Sequence, residues 1–410
     1  MDRILLILPT TTYRARAFME AASSLNIEVV VGSEKRQALA GLVPGTTLDF
    51  DLHKSESALK KIVKFAREKS FKAIIGVDEE SVVLAATASE ALALPCNPLP
   101  AVRATRDKYE MRQRLARGGL SSPEAWLFST DQNLKEISKK VNYPCVLKPT
   151  FLSASRGVIR ANDKREFVQA FSEIADLLSD RKTARQGGES AKQILVEDYI
   201  PGNEVALEGI LLDGKLKLLA LFDKPDPLQG PYFQETIYTT PSQLPSKLQE
   251  EIVNITQKAA NAIGLHTGPL HAELRFNDFG IYVIEIAARS IGGCCSRLLR
   301  FNNGISLEEL ILRHALGQDI RRFEREELAA GVMMIPTPQA GILKKVNGID
   351  AARAVAGVED IIISIPFGQK VEVLPRSSRY LGFIFARGKS PEFVEEAIRA
   401  AYAKLKIVIE

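Results

Sequence analysis

Residues 270–300 read LHAELRFNDFGIYVIEIAARSIGGCCSRLLR. The alternation of apolar and polar positions predicts a β-hairpin, followed by a loop and a helix. Glu273 and Glu285 fall in its two strands, and Arg289 follows four residues after Glu285, just before Gly292-Gly293. Two carboxylates on facing strands suit a hard dication. Mg²⁺ takes oxygen ligands and is commonly held by one or two carboxylates together with substrate phosphates. An arginine beside them can hold a phosphate or a carboxylate through two hydrogen bonds. A surface hairpin with ordinary outward charges would show the same alternation, so the hairpin is decided by what surrounds it.

The surroundings are those of a globular chain. Of 410 residues, 46% are apolar and 25% charged, enough for several cores, and two to four domains are expected. A net charge of +4 implies no nucleic-acid or membrane footprint. The four cysteines, at 96, 145, 294 and 295, have no zinc-like spacing, which with only four histidines argues against structural zinc. A reducing, cytoplasmic setting is expected. The run ILLIL near the N-terminus is too short to span a membrane and lacks a signal-peptide cleavage pattern, so it reads as a first buried strand.

Upstream of the hairpin, residues 1–100 alternate strand and helix, predicting βαβ units and a parallel sheet. Ligands of such sheets bind beyond the carboxyl ends of the strands. The turns Pro9-Thr10-Thr11-Thr12 and Asp78-Glu79 lie there, as pocket residues or as helix caps through Thr10 and Asp78. No GxGxxG follows the first strand, which weakens a hydride-transfer reading. Residues 101–123 form a connector whose helix begins near Lys108 and stops at Gly118-Gly119, after an irregular, proline-rich PCNPLPAV.

From residue 124 a new α+β unit is expected. Its strand YPCVLKP ends in Lys148, a lysine costly to bury unless paired. Ser153-Ala154-Ser155-Arg156-Gly157 follows, either a loop whose amides could approach phosphate oxygens or a plain hairpin turn. After a helix over 164–178, residues 181–193 read as a mobile polar stretch, and ILVEDY as a strand leading into Ile200-Pro201-Gly202-Asn203-Glu204. An Asp213-Gly214 hairpin, a polar loop over 224–240 and a helix over 246–264 complete the approach to the opening hairpin.

In this order, the helix with Lys108, the strand VLKP, the Ser/Gly loop, EDYIPGNE, HAELRF and VIEIAAR resemble the ATP-grasp superfamily of carboxylate–amine ligases over about residues 1 to 400. The fold class the resemblance implies is mixed α/β and α+β. It comprises an N-terminal parallel-sheet domain (1–100), a connector helix (101–123), two ATP-grasp lobes (124–200 and 201–320) and a small C-terminal α+β domain (331–410). Lys108 and Lys148 match the lysines that reach the ATP phosphates, Lys148 also with a catalytic part. Ser153, Ser155 and Gly157 match the loop over the β- and γ-phosphates. Glu197, Asp198 and Ile200 match the hinge that meets adenine, and Glu204 matches the ribose-binding glutamate. Glu273 and Glu285 match the metal ligands, and Arg289 matches the catalytic arginine that holds the transferred phosphate and the acyl group. Many members carry Asn two residues after the second glutamate, where this chain has Ala287. EIAAR, Gly292-Gly293 and the loop PDPLQGPYFQETIYTTPS look like the L-amino-acid ligase branch, which makes dipeptides. D-alanine–D-alanine ligases and biotin carboxylases match less closely.

The resemblance implies ATP as nucleotide and Mg²⁺, or alternatively Mn²⁺, as metal. Its partners would be a small-molecule acid and amine, without nucleic acid or membrane, and with a homodimer left open. The reaction implied passes through an acyl phosphate and releases ADP and phosphate. The alternatives are a carboxylase or formyl-transfer ligase of purine or biotin metabolism, and a nucleotide-binding protein without turnover. His271, two residues before Glu273, should share its face as a substrate contact or as a satisfied structural histidine. The Asp223-Lys224 pair is a candidate contact for an amino acid.

Overall fold

A computed structural model describes residues 2–10, 12–34, 46–52, 54–377 and 379–410. Thr11, in the expected threonine turn, lies outside them.

The N-terminal segment forms a parallel sheet in the order Thr46–Asp49, Glu28–Ser33, Arg3–Ile7, Ala73–Gly76. Ile4 to Leu8 are fully buried, as a central strand covered on both faces requires. Its carboxyl edge carries Pro9, Thr12, Asp78 and Glu79. The capping alternative is not what these turns do. Helix Ala15–Ser24 has Arg14 at its N-cap without a side-chain cap, and Ser81, not Asp78, precedes helix Val82–Ala91. The connector is also more helical than expected. Residues Leu99–Arg106 form a helix with Pro100 in its first turn, where proline's missing N–H costs nothing. Asp107 then caps helix Lys108–Arg117 by accepting from the amides of Tyr109 and Glu110.

Strands Ala125–Ser129, Gln193–Asp198, Cys145–Pro149 and Ile159–Ala161 form an antiparallel sheet in that order. Helix Lys164–Ser179 covers it with Phe167, Phe171 and Ile174. The stretch expected to be mobile is structured. Asp180 caps helix Arg181–Gly187, and a 3₁₀ turn follows over Gly188–Lys192. A Cβ on Gly187 would meet the Phe151 ring at 2.3 Å, so this glycine packs the helix end rather than loosening it. In the same lobe, a one-turn helix covers Leu134–Ile137, capped by Asn133, whose side chain accepts from the Lys135 amide.

The largest sheet has eight antiparallel strands, in the order Gly280–Ala287, Gly268–Asn277, Asn203–Leu212, Lys215–Asp223, Ile237–Thr240, Ala329–Ile335, Gly382–Gly388, Val358–Ile363. The expected 224–240 loop therefore ends in a buried strand that joins the central lobe to the C-terminal segment. Helix Ser246–Ile263 packs on one side of this sheet, and helix Leu307–Ala315 shares a core with the N-terminal segment. The helix expected after the opening hairpin is only a 3₁₀ turn, Cys295–Leu298. Helix Pro391–Tyr402 and the small sheet Lys370–Val371, Gly341–Asn347, Lys406–Ile409 complete the C-terminal segment. No helix among the described residues is long and apolar enough to cross a membrane.

Candidate active site

A cavity of about 620 Å³ opens between the N-terminal segment, the two lobes and the C-terminal segment, a volume typical of small-molecule sites. Its lining draws Arg14 and Glu79 from the N-terminal edge, Lys148 and Ser155 from the small lobe, Glu285 from the hairpin and Tyr380 from the C-terminal segment.

The hairpin supplies the floor. Strand pairing sets Glu273 directly opposite Glu285, and the register slips by one residue immediately afterwards. Such a bulge increases local twist and re-aims side chains. Both carboxylates line the cavity. Lys108, at the start of its helix, reaches Glu285 Oε1 at 3.3 Å and donates to the Leu152 carbonyl at 2.7 Å. It is 7% exposed, so it is no solvated surface lysine. Lys224 lies 3.5 Å from Glu273, 2.6 Å from Glu204 and 3.1 Å from Glu235. The hairpin carboxylates offer oxygen alone, which fits Mg²⁺ completed by phosphates. No group of three or more His, Cys, Asp or Glu side chains forms a metal cage among the described residues.

Lys148 is buried against Glu197 at 2.5 Å, and Arg112 holds the other Glu197 oxygen at 2.8 Å. Burial works to raise the Glu197 carboxyl, but Arg112 and Lys148 keep it below its ordinary range. Burial also lowers the Lys148 ammonium. The Glu197 carboxylate is thus spent on these two cations. Arg112 belongs to the buried stripe Lys108, Met111, Arg112, Leu115, and an arginine at i+4 in such a stripe was a legible signal.

Glu204 accepts from Lys224 and from Arg275 Nε at 2.8 Å. Arg275 sits two residues after Glu273 on the same strand face, another position that alternation indicates. Its guanidinium lies 5.4 Å from the Tyr199 ring and donates to the carbonyl of Ile200 at 2.7 Å, with a further short bond to Leu228. Asp198 and Ile200 line the cavity beside it. Ser153 and Ser155 line it too, and Ser155 has φ +56°. Gly157 does not: its amide donates to the Pro375 carbonyl at 3.0 Å.

Arg289 is aimed by the N-terminal segment. Its Nε lies 2.8 Å from Glu79 Oε1, while Arg106 binds the other Glu79 oxygen. Against burial, Arg289 and Arg106 hold the Glu79 carboxyl down at about 2. Arg14 ties the same turn down, donating to Ser290 Oγ at 3.1 Å and to the Ser290 and Ile291 carbonyls at 2.9 and 2.5 Å. Glu208, fully buried, accepts from the Ile291 amide at 2.9 Å. His271 does share the cavity face with Glu273, but it is not a satisfied structural histidine. Its Nδ1 has no hydrogen-bond partner, and burial pushes its pKa down to about 3. Glu208 lies far from the hairpin in sequence, without a motif that marks it, whereas Glu79 stands in the Asp78-Glu79 turn and Glu235 in the loop PDPLQGPYFQETIYTTPS, both singled out in the sequence.

Residues 141–297 match the ATP-grasp domain family, 333–410 the L-amino acid ligase C-terminal domain 2, and 19–96 the ATP-grasp N-terminal domain. The chain superposes on the crystal structure of an L-amino acid ligase from Bacillus licheniformis with a TM-score of 0.83 and 26% identity, covering 100% of this chain and 99% of that one. It is 27% identical over 272 residues to the alanine–anticapsin ligase of Bacillus subtilis strain 168, covering 63% of this chain and 56% of that protein. It is 28% identical over 281 residues to the dapdiamide A synthase of Enterobacter agglomerans, covering 66% of this chain and 64% of that protein. The chain thus spans less than two thirds of these two relatives. Three matching segments in the order of the fold place the chain in the ATP-grasp superfamily, with a C-terminal domain of the L-amino acid ligase type, and its full-length likeness is to a solved L-amino acid ligase.

Proposed function

We propose that this protein joins a carboxylic acid, an amino acid in this reading, to an amine with consumption of ATP. The observation that carries the proposal is the pairing of Glu273 with Glu285 in one cavity with Lys108, Lys148 and Arg289. In this reading residues 124–200 and 201–320 grasp ATP from two sides. Segments 1–100 and 331–410 form the walls of the acid and amine sites, and 101–123 delivers Lys108.

A carboxylate is a poor electrophile, and phosphorylation corrects this. One carboxylate oxygen attacks the γ-phosphorus of ATP, the bond to the β-phosphate oxygen breaks, and ADP leaves. A neutral amine then attacks the acyl carbon, inorganic phosphate leaves, and the nitrogen loses a proton. The first step brings polyanions together, so Lys108 and Lys148 offset charge at the phosphates, with Ser153 and Ser155 over them. Glu273 and Glu285 would hold Mg²⁺, which neutralises phosphate charge when bound. Mn²⁺ has the same use for these oxygens. Arg289, held by Glu79, binds the transferred phosphate and stabilises the oxyanion of the second step. The adenine edge meets backbone near Asp198 and Ile200, because the Glu197 side chain already serves Lys148 and Arg112. Glu204 meets the ribose, with Lys224 and Arg275 fixing its carboxylate.

The test is ADP release with ATP and Mg²⁺ across pairs of amino acids, with products weighed by mass spectrometry. ADP formed only with particular pairs, together with a condensation product, is expected. Glu285→Gln should lower ADP formation by roughly 100-fold or more. ATP binding without ADP for any acid–amine pair would sink the proposal, and bicarbonate- or formate-dependent ADP release would mark a carboxylase or formyl-transfer ligase instead.

A further inference from the structure

Strand pairing sets four residues of one face of the hairpin in a square. Glu273 faces Glu285, and one step along the same face His271 faces Ala287. Ala287 holds the position where many members of the superfamily carry an asparagine that binds metal. Its methyl group offers no donor, but the imidazole directly across from it does. His271 is 6% exposed and lines the cavity. Opposed side chains of an antiparallel pair stand about 5 Å apart at Cβ, near enough for one to use the space that the other leaves.

The two ring nitrogens face different groups. Nε2 lies 3.5 Å from Glu273 Oε1, too long for a strong hydrogen bond. Neighbouring ligands of an octahedral ion with bonds of about 2.1 Å stand about 3 Å apart, so this spacing suits two donors turned toward one cation. Nδ1 is buried without a hydrogen-bond partner among the described residues and lies 3.7 Å from Glu208 Oε2. Glu208 completes the row, because it faces His271 from the other side on strand Asn203–Leu212. The Ile291 amide fixes one Glu208 oxygen, and the other is unpartnered among the described residues. A carboxyl group behind one ring nitrogen and a cation site before the other is the arrangement that orients a metal-binding histidine. Packing alone would leave these buried polar atoms unpaired at a cost and with no gain.

Resting on the metal site of the ligase reading above, we propose that His271 is a metal ligand. Its Nε2 joins Glu273 and Glu285 at the ion that binds the ATP phosphates, in place of the donor that Ala287 lacks, and Glu208 orients the ring. The side chains close no cage by themselves, and phosphate oxygens complete the coordination. The consequence is metal selectivity. An imidazole nitrogen is a softer donor than an amide oxygen, and first-row transition ions accept it more readily than Mg²⁺ does. The site therefore favours Mn²⁺ over Mg²⁺ more than oxygen donors alone would. The competing role, a contact from His271 to the bound acid, assigns nothing to the Glu208 carboxyl behind the ring and leaves metal binding unchanged.

The experiment is pulsed electron paramagnetic resonance of the native full chain with Mn²⁺ and ADP, prepared with ordinary and with nitrogen-labelled histidine. A nitrogen coupling that changes with the label is expected, and it should vanish in H271A. In metal titrations with ADP present, the Kd for Mn²⁺ should rise roughly tenfold or more in H271A, and that for Mg²⁺ should rise less, so that the preference for Mn²⁺ narrows. The double variant H271A/A287N returns an oxygen donor. Its Mg²⁺ binding should recover toward the native value while the nitrogen coupling stays absent. Mn²⁺ bound to the native protein without a coupling that follows the histidine label overturns the proposal. So does an unchanged Mn²⁺ Kd in H271A with a raised KM for the acid, which would make His271 a substrate contact. Mn²⁺ binding that E273Q and E285Q leave unchanged defeats the metal reading itself, whereas binding lost in those two variants without the histidine coupling defeats only this inference.

Discussion

Two buried glutamates on either side of the Arg289 turn respond to pH in opposite senses. Burial lifts the Glu208 carboxyl well above the carboxylate range, and only one of its oxygens has a hydrogen bond. The folded state therefore holds a proton that the unfolded chain releases above about pH 4.3. Its stability contribution is complete below that pH and declines as pH rises toward the folded value. Glu208→Gln keeps an acceptor for the Ile291 amide and cannot ionise. It should be more stable than the native protein at pH 8, with the difference vanishing near pH 4, by urea denaturation at both. An equal difference at the two pH values would remove the ionisation argument. Glu79, held at about 2 by Arg289 and Arg106, is the reverse case. Its contribution is present above the unfolded carboxyl value and lost as pH falls through about 2. At pH 7, Glu79→Gln leaves two partly buried arginines short of charge, so a loss of about 3 kcal/mol is expected. Because Arg289 is released, kcat should fall as well. Denaturation and ADP release measured on the same preparation check both.

Among the elements, the hinge before Asn203–Leu212 shows how a single backbone position sets strand placement. Gly202 has φ +119°, and a Cβ there would lie 2.2 Å from the Phe276 carbonyl of the neighbouring strand. Gly119, at the end of the Lys108 helix, has φ +69° with nothing within 4 Å. Gly119→Ala meets backbone strain alone, about 1 kcal/mol. Gly202→Ala adds a clash with backbone that cannot rotate away, so roughly 3 kcal/mol or more is expected. Thermal unfolding of the two variants side by side separates the effects, and equal shifts would mean that strand Gly268–Asn277 yields. The variant should also weaken ATP binding, because Gly202 sits between Ile200 and Glu204.

At the scale of the whole molecule, one arginine couples segments far apart in sequence. Arg14 is 6% exposed and donates to Val77 within its own sheet and to Ser290 and Ile291 across the cavity. Arg14→Met keeps the aliphatic packing but leaves several carbonyls without a donor, each costing about 1 kcal/mol or more. A stability loss of roughly 3 kcal/mol is expected, together with a raised KM for the acid as the 289–293 turn loosens. Urea denaturation and initial-rate kinetics read the two. The eight-stranded sheet makes a second coupling, because Ile237–Thr240 and Ala329–Ile335 join the hairpin lobe to the wall that carries Tyr380.

By itself the sequence determined the elements whose signals are local. Alternation placed Glu273 and Glu285 on facing strands, buried apolar runs marked the parallel strands, and the order of short motifs implied the superfamily. Its failures were local too. Residues 181–193 looked too polar to be ordered, yet the Asp180 cap and the Phe151 ring against Gly187 hold them. The strand Ile237–Thr240 is short, and its partners lie on either side of the sheet, so only tertiary pairing reveals it. The tertiary structure alone decided which charges meet. Glu79 and Arg289 are 210 positions apart, and Lys148 and Arg112 share Glu197 across two elements. Burial costs each such charge its hydration unless a partner is near, and no local pattern specifies that partner, because it is chosen by packing after the elements have formed.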